Sequence, residues 1–280
     1  MEQSVVHSPG RAADPSPQPR DPAVAGDLRA YLLGGSADGP PEGGRRLARR
    51  LRGLLGPGTR HGLKMLGTRL AAPGSARRLR QLHDSGAPLL LNLGSGTYNV
   101  PGWVNIDLWG WHAAWGVHPD VVWDLRRPLP LPDGAVDAVF MEHVLEHLPA
   151  REGLGALEQC HRLLRPGGVL RLSVPDFGRY ARSYVAAATG TGEDVAFLTQ
   201  ERPGRPTPLM AVSEVVYHHG HVSVWDAETL AALMRCAGFE HVTRRAYRDT
   251  DLSPVPDSPE RLGESLYMEG IRAGSPDASS

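Results

Sequence analysis

Short apolar runs alternate with helical apolar periods through the middle of this chain. Residues 88–93, 103–107, 120–124, 136–141 and 169–174 are apolar stretches closed by polar or turn-forming residues, and each predicts a buried strand. Between and after them apolar positions recur at three- and four-residue spacing. That spacing predicts helices over 75–83, from Pro149 or Arg151 to Leu164, over 177–185 and over 226–237. The last has Asp226 as N-cap and Gly238 as its stop. Pro132-Asp133-Gly134 announces the fourth strand, Arg165-Pro166-Gly167-Gly168 closes the helix before the fifth, and 239–248 with 264–272 read as a closing strand pair. Strands alternating with helices require a mostly parallel sheet covered on both faces, so the expected fold is α/β and doubly wound.

The flanks read differently. Residues 1–44 are rich in Pro, Gly, Ser and Asp without an apolar period and are expected to be disordered, as is the tail 275–280. Residues 45–80 carry eleven Lys or Arg and no acid, with Leu47, Leu51, Leu54 and Leu55 at helical spacing before Gly56-Pro57-Gly58. This predicts a short basic amphipathic helix and a looser basic stretch over 45–74, ahead of a folded domain at 75–274. Two readings of 45–80 stand: a helix packed on the domain with a solvated arginine face, or a weak peripheral contact with an anionic membrane. Residues 188–220, with Pro203, Pro206 and Pro208, are expected to be irregular and to form a lid or substrate loop.

Composition narrows the classes. The formal net charge of −1 carries no polyelectrolyte signal, so no nucleic-acid partner is expected. Cys160 and Cys236 lack metal or disulfide spacing and read as free buried thiols, which suits a reducing cytoplasm. No apolar run reaches membrane-spanning length and the first residues lack the order of a signal peptide, so a cytoplasmic protein is expected. Lys64 is the single lysine among 30 basic residues, which we read as a compositional bias before giving any arginine a role.

The chemistry begins where the first strand ends. Leu89-Leu90-Leu91-Asn92-Leu93 runs into Gly94-Ser95-Gly96, a turn tight enough to need glycine, which predicts bare backbone N–H groups facing a ligand. Asp107 closes the next strand, where a carboxylate can accept two hydroxyls of a ribose. A dinucleotide site is disfavoured, because Asn99 occupies the third glycine position, Pro101-Gly102 interrupts the helix that would hold a pyrophosphate, and the acid comes too early.

Five segments in order carry a resemblance. They are 91–96, Asn105-Ile106-Asp107-Leu108, Trp123-Asp124-Leu125 with Leu131-Pro132-Asp133-Gly134, Phe140-Met141-Glu142-His143-Val144-Leu145-Glu146-His147-Leu148, and 163–170 around Arg165-Pro166-Gly167-Gly168. Together they resemble the class I S-adenosylmethionine-dependent methyltransferases. The resemblance implies a Rossmann-like, mostly parallel seven-stranded sheet with an antiparallel last strand, and S-adenosyl-L-methionine as cofactor. It implies cofactor contacts at Asn92, Gly94, Ser95, Gly96, Asp107, Leu108, Asp124, Leu125 and Glu142. Asp124 is read either as the acceptor of the adenine amino group or as the acid starting the next turn. Asn92 departs from the family, which carries an acid there; it can orient the loop but offers no charge to the cofactor's ammonium. The compact form is similar to a subgroup linked to glycan or natural-product modification.

On the acceptor side, Glu142 and His143 stand at the carboxyl end of the fourth strand, the edge where such sheets bind ligands. Glu142 and Glu146, and His143 and His147, are four apart, and Tyr217-His218-His219-Gly220-His221 forms a second titratable cluster. The first spacing is not a recognised zinc motif; the three close histidines could bind a divalent ion, but Glu214 and Asp226 are the only acids beside them, so a substrate-facing role is favoured and no metal is expected. His143 or His221 is the expected base, and Asp176, Tyr180 and His219 are expected to face the acceptor, with N-cap of the following helix as the other reading of Asp176. The expected function is methylation of a small-molecule or glycan hydroxyl. The alternatives are N-methylation of a natural product, or a methyltransferase-like protein that serves binding or assembly without catalysis.

Overall fold

The computed structural model describes residues 57–108, 117–192, 194, 196–202 and 204–274, with Asp27, Leu28, Tyr31 and Leu32 before them. The basic helix expected around Leu47–Leu55 and the tail 275–280 lie outside the described residues, and of residues 1–44 only the four just named are described, as helical.

Seven strands form one sheet: β1 (Leu90–Leu93), β2 (Val104–Asp107), β3 (Val121–Val122), β4 (Val136–Glu142), β5 (Leu164–Pro175), β6 (Glu240–Arg245) and β7 (Ser265–Ile271). Their order is β3-β2-β1-β4-β5-β7-β6. Leu91 lies opposite Val104 on one side and Val139 on the other, both in parallel register. Only β7 runs against its neighbours, with Met268 opposite Leu172 of β5 and Arg244 of β6. This is the doubly wound sheet with an antiparallel last strand. Central strands of such a sheet are apolar on both faces, since helices or loops cover each. In β4, Val139 and Met141 join the main core, whereas Ala138 and Phe140 pack with Val100 and Trp103 on the opposite face.

Among the residues described from 57 onward, six α-helices flank the sheet: α1 (Pro57–Asp84), α2 (Ala150–Leu163), α3 (Phe177–Thr189), α4 (Phe197–Glu201), α5 (Pro208–Tyr217) and α6 (Ala227–Cys236). Three differ from expectation. The stretch 57–74 is helical and continuous with the predicted 75–83 helix, passing through Pro73. Packing outweighs the lost hydrogen bond there, because Leu79 is fully buried, Ala72, Ala76 and Leu82 lie on the core, and the Ser75 hydroxyl accepts the Val122 N–H at the sheet edge. Residues 188–220 contain α4 and α5 where irregular chain was expected. Thr207 caps the Met210 N–H with Pro208 in the first turn, and Ala211 and Val215 of α5 bury against Tyr180, Phe197 and Leu198 in a small second core. Pro208 marks a helix start in a segment read as irregular. Cys160 is buried, but Cys236 is exposed, against the expectation of two buried thiols. Among the described residues no helix is long and apolar enough to cross a membrane.

One buried ion cluster ties the sheet to the long β6–β7 connection. Arg171 of β5 is 0% exposed and grips Asp257 through two guanidinium nitrogens, Nε to Oδ1 at 2.6 Å, while Nη1 reaches Glu269 Oε1 at 2.9 Å. It also donates to the carbonyls of Ala246 and Asp249. Arg171→Met would leave the buried Asp257 without a counter-charge and Glu269 with Arg245 alone. We expect a loss of about 3–5 kcal/mol in urea unfolding; an unchanged midpoint and slope would show that the cluster does not hold this connection.

Candidate active site

The glycine loop is organised by β2. Gly94 N–H and Ser95 N–H both donate to the Ile106 carbonyl, at 2.7 and 3.1 Å. Gly96 N–H donates to Asp107 Oδ2 at 2.7 Å, and Leu108 N–H to Oδ1 at 2.6 Å. The N–H groups expected to face a ligand are thus turned inward, and what glycine supplies is close approach. A β-carbon on Gly94, whose φ is +74°, would lie 2.3 Å from Val144 Cγ2. Gly96, at φ +52°, has open space where its β-carbon would be.

Asn92 works behind this loop. It is buried, and its amide donates to the Tyr98 carbonyl and to Asn105 Oδ1, at 3.1 and 2.9 Å. Asn105 in turn accepts the Val100 N–H and donates to Asp120. Asn92 therefore orients the loop, and Asn105, which the sequence placed in a motif without giving it a role, is its partner; the signal was a polar residue inside a buried strand. Each Asp107 oxygen keeps a lone pair beyond its backbone bond, and the buried Ser95 hydroxyl has no hydrogen-bond partner. A carboxylate, an orphaned hydroxyl and an open Gly96 face are the groups a nucleoside with a ribose diol and an amino-acid tail needs, so the residues fit the cofactor the resemblance implies.

The other expected cofactor residues are placed as follows. Asp124 forms a bidentate pair with Arg126, Nε to Oδ1 at 2.9 Å and Nη2 to Oδ2 at 3.0 Å, and its Oδ1 accepts the Arg126 N–H. Burial raises its carboxyl, and the Arg126 hydrogen bonds outweigh that and hold it below the usual range. Its carboxylate organises the turn after β3, and Leu125 packs partly buried on the core. Glu142 accepts the Ser258 N–H at 3.2 Å, and burial lifts its carboxyl above the ordinary value.

Beyond β4 the chain enters a polar cavity of about 190 Å³, lined by His143, Glu146, His147, Arg202, Arg205, Glu214, His219, His221, Arg261 and Glu264 among others. His143 sits at φ +51° with its N–H on the Ser173 carbonyl. Its Nε2 lies 2.8 Å from Ser265 Oγ, and its Nδ1 stands 3.4 Å from Glu146 Oε1 without a hydrogen bond to it. Burial, then the Arg261 charge, depress its pKa well below the ordinary value. His221 differs. Its Nδ1 lies 2.6 Å from the Val215 carbonyl, which can only accept, so Nδ1 carries the proton and Nε2 of the neutral ring is bare. Burial keeps that ring neutral, and Nε2 stands 3.9 Å from Glu146 Oε1.

Three carboxylates line the cavity. Glu214 is held by Arg205, with Nη2 to Oε1 at 2.6 Å. Glu264 is held by Arg202, by Arg261 at 3.0 Å and by the Tyr180 hydroxyl at 3.1 Å. Glu146 is buried with no hydrogen bond to either oxygen, and burial pushes its carboxyl up to about 8.

The expected acceptor residues separate. His219 lines the cavity, stacked on His218. Tyr180 is fully buried behind it and positions Glu264. Asp176 is spent elsewhere: it caps α3 through the Arg179 N–H and pairs with Arg244 at 2.9 Å, so the capping reading is the one the structure adopts. Arg202, Arg205, Arg261 and Glu264 were missed, the arginines because their abundance had been set down to composition.

Residues 90–244, from β1 into β6, match a family model described as a methyltransferase domain. A protein of Mycolicibacterium smegmatis, named a probable S-adenosylmethionine-dependent methyltransferase, is 32% identical over 112 residues, which is 40% of this chain and 32% of that protein. The chain thus spans about a third of that relative's length. Among solved structures, a SAM-dependent methyltransferase from Archaeoglobus fulgidus is 14% identical, covering 70% of this chain and 92% of that one with a TM-score of 0.41. An O-methyltransferase family protein from Burkholderia thailandensis is 17% identical, covering 78% and 60%, also with a TM-score of 0.41.

The loop geometry makes a prediction. Asp107→Ala removes the loop brace and the carboxylate expected to accept the ribose diol, and we expect S-adenosylhomocysteine to bind at least about tenfold more weakly by isothermal titration. Gly94→Ala forces Val144 aside and is expected to weaken binding as well. Unchanged affinity in both variants would place the nucleoside elsewhere.

Proposed function

We propose, from the premise that this chain belongs to the methyltransferase family whose model its residues 90–244 match, that it transfers a methyl group from S-adenosylmethionine to a hydroxyl of a small-molecule or glycan acceptor. The observation that carries this reading is the bare Nε2 of His221, fixed by its Nδ1–H bond to Val215 and facing a cavity lined mostly by ionisable side chains. The cofactor supplies a sulfonium-bound methyl group open to displacement by a nucleophilic oxygen.

The chain's own residues do the rest. Asp107, the Ser95 hydroxyl and the open face of Gly96 would hold the nucleoside and its amino-acid tail at the carboxyl edge of β1 and β2. Val144 touches this loop, and the residues around it, His143, Glu146 and His147, line the cavity, so cofactor loop and acceptor pocket share one segment. Holding the oxygen in line with the methyl group contributes about 7–11 kcal/mol in favourable cases. His221 Nε2 takes the hydroxyl proton, and the carboxyl group of Glu146 faces the imidazolium that results. His143, with Nε2 engaged by Ser265 and a depressed pKa, forms the wall beside Glu146. A pocket rich in paired charges suits a polyhydroxylated acceptor better than an apolar one.

The test is a screen of hydroxylated metabolites and glycosides for S-adenosylhomocysteine release. His221→Ala is expected to lower turnover by about 10²–10⁴-fold on the acceptor found. Affinity for S-adenosylhomocysteine should stay unchanged. Full turnover in that variant would remove His221 as base, and turnover confined to amines would redirect the reading to N-methylation.

A further inference from the structure

We propose that Glu146, His147 and His221 form a binding site for a divalent transition-type cation in the wall of this cavity. The sequence spacing had argued against a metal, but the three residues come from two distant segments that only the fold brings together. Each offers one ligand atom, and those atoms lie within 4.8 Å of one another. Two imidazole nitrogens and one carboxylate oxygen facing a cavity are a donor set for Zn²⁺, Mn²⁺, Fe²⁺ or Co²⁺, whereas Mg²⁺ and Ca²⁺ prefer oxygen alone.

Three independent observations support it. Glu146 is 1% exposed, and neither carboxylate oxygen receives a hydrogen bond, an arrangement that costs free energy unless a partner arrives. The cavity's three arginines give no relief, since Arg205 is bound to Glu214, and Arg202 and Arg261 to Glu264. Secondly, the Val215 carbonyl fixes the His221 tautomer with Nε2 bare, the arrangement in which a carbonyl orients a metal-binding imidazole. Thirdly, the two segments are held together without any ion. Val222 N–H and Ser223 N–H both donate to the Glu146 carbonyl, at 2.8 and 3.1 Å, and the Ser223 hydroxyl donates to the Leu145 carbonyl. His147 and His221 are thereby brought edge to face, with ring centres 4.8 Å apart. The neighbouring set Glu214, His218 and His219 lacks this character, because its carboxylate already carries Arg205.

Its catalytic meaning rests on the proposed reading of the cavity as the acceptor pocket. In the metal-free protein the His221 lone pair takes the hydroxyl proton. In the loaded protein the same lone pair holds the ion, and an acceptor hydroxyl bound to the ion is acidified in its place, its proton passing to solvent.

The full chain, stripped with a chelator, is titrated with Zn²⁺ alone at pH 7.5 against a chromophoric competitor, with S-adenosylhomocysteine affinity measured on every sample. We expect one Zn²⁺ per chain, bound at least about tenfold more weakly by Glu146→Gln, His147→Ala and His221→Ala but unchanged in His218→Ala. No stoichiometric binding, or equal affinity in the first three variants, overturns the site. Zn²⁺ failure with intact S-adenosylhomocysteine binding sinks the cation site alone; Zn²⁺ binding without S-adenosylhomocysteine binding leaves the site and sinks the methyltransferase reading.

Discussion

Gly94 stands so close to β4's outgoing segment that any side chain there would collide with Val144. That contact sets where the glycine loop lies relative to the cavity, because Val144 is flanked by His143 and, one turn on, by Glu146 and His147. The loop is pinned from the other side by β2, through the Ile106 carbonyl and the Asp107 carboxylate. A left-handed conformation at Gly94 and another at His143 are the local consequences. At His143, a residue with a β-carbon, this conformation costs free energy and persists because surrounding structure determines it, and both positions border the proposed reaction centre.

Charge in the cavity follows a different rule. Arg202, Arg205 and Arg261 are matched by Glu214 and Glu264, and Tyr180 anchors Glu264 from the small core of α3, α4 and α5. The insert between β5 and β6 therefore does two things at once: it buries apolar surface of its own, and it delivers two arginines, a carboxylate and His221 to the edge of the sheet. Glu146 is left outside these pairs. A buried carboxyl without a hydrogen bond is costly in a protein interior, and its position beside two histidines is what gives the pocket its chemical character.

The central strands were legible because they are buried and so appear as apolar runs; β1, β2, β4 and the β6–β7 pair lie where the pattern put them, although β6 itself is mostly exposed. Asp107 and the glycine turn were legible for the same reason, being punctuation at strand ends. The continuity of α1 was not, since Pro73 reads locally as a break while the burial of Leu79 and Ser75 that overrides it is tertiary. In the site, His143, His219 and His221 were found from their chemistry. Arg202, Arg205, Arg261 and Glu264 were not, because their meaning lies in pairings across long sequence separations, and an arginine-rich composition hides individual arginines. Asp176 carried two readings from its place at a strand end, an acceptor contact or a helix cap, and helix geometry takes it as the cap.

The central claim is that the Asp107 loop and the Glu146–His221 cavity are two halves of one methyl-transfer site joined at Val144. A crystal structure of the chain with S-adenosylhomocysteine tests it most directly. The account predicts the ribose diol on Asp107 and the sulfur turned toward the cavity of His143, Glu146 and His221. A nucleoside seated away from Asp107, or one whose sulfur points away from that cavity, would contradict it.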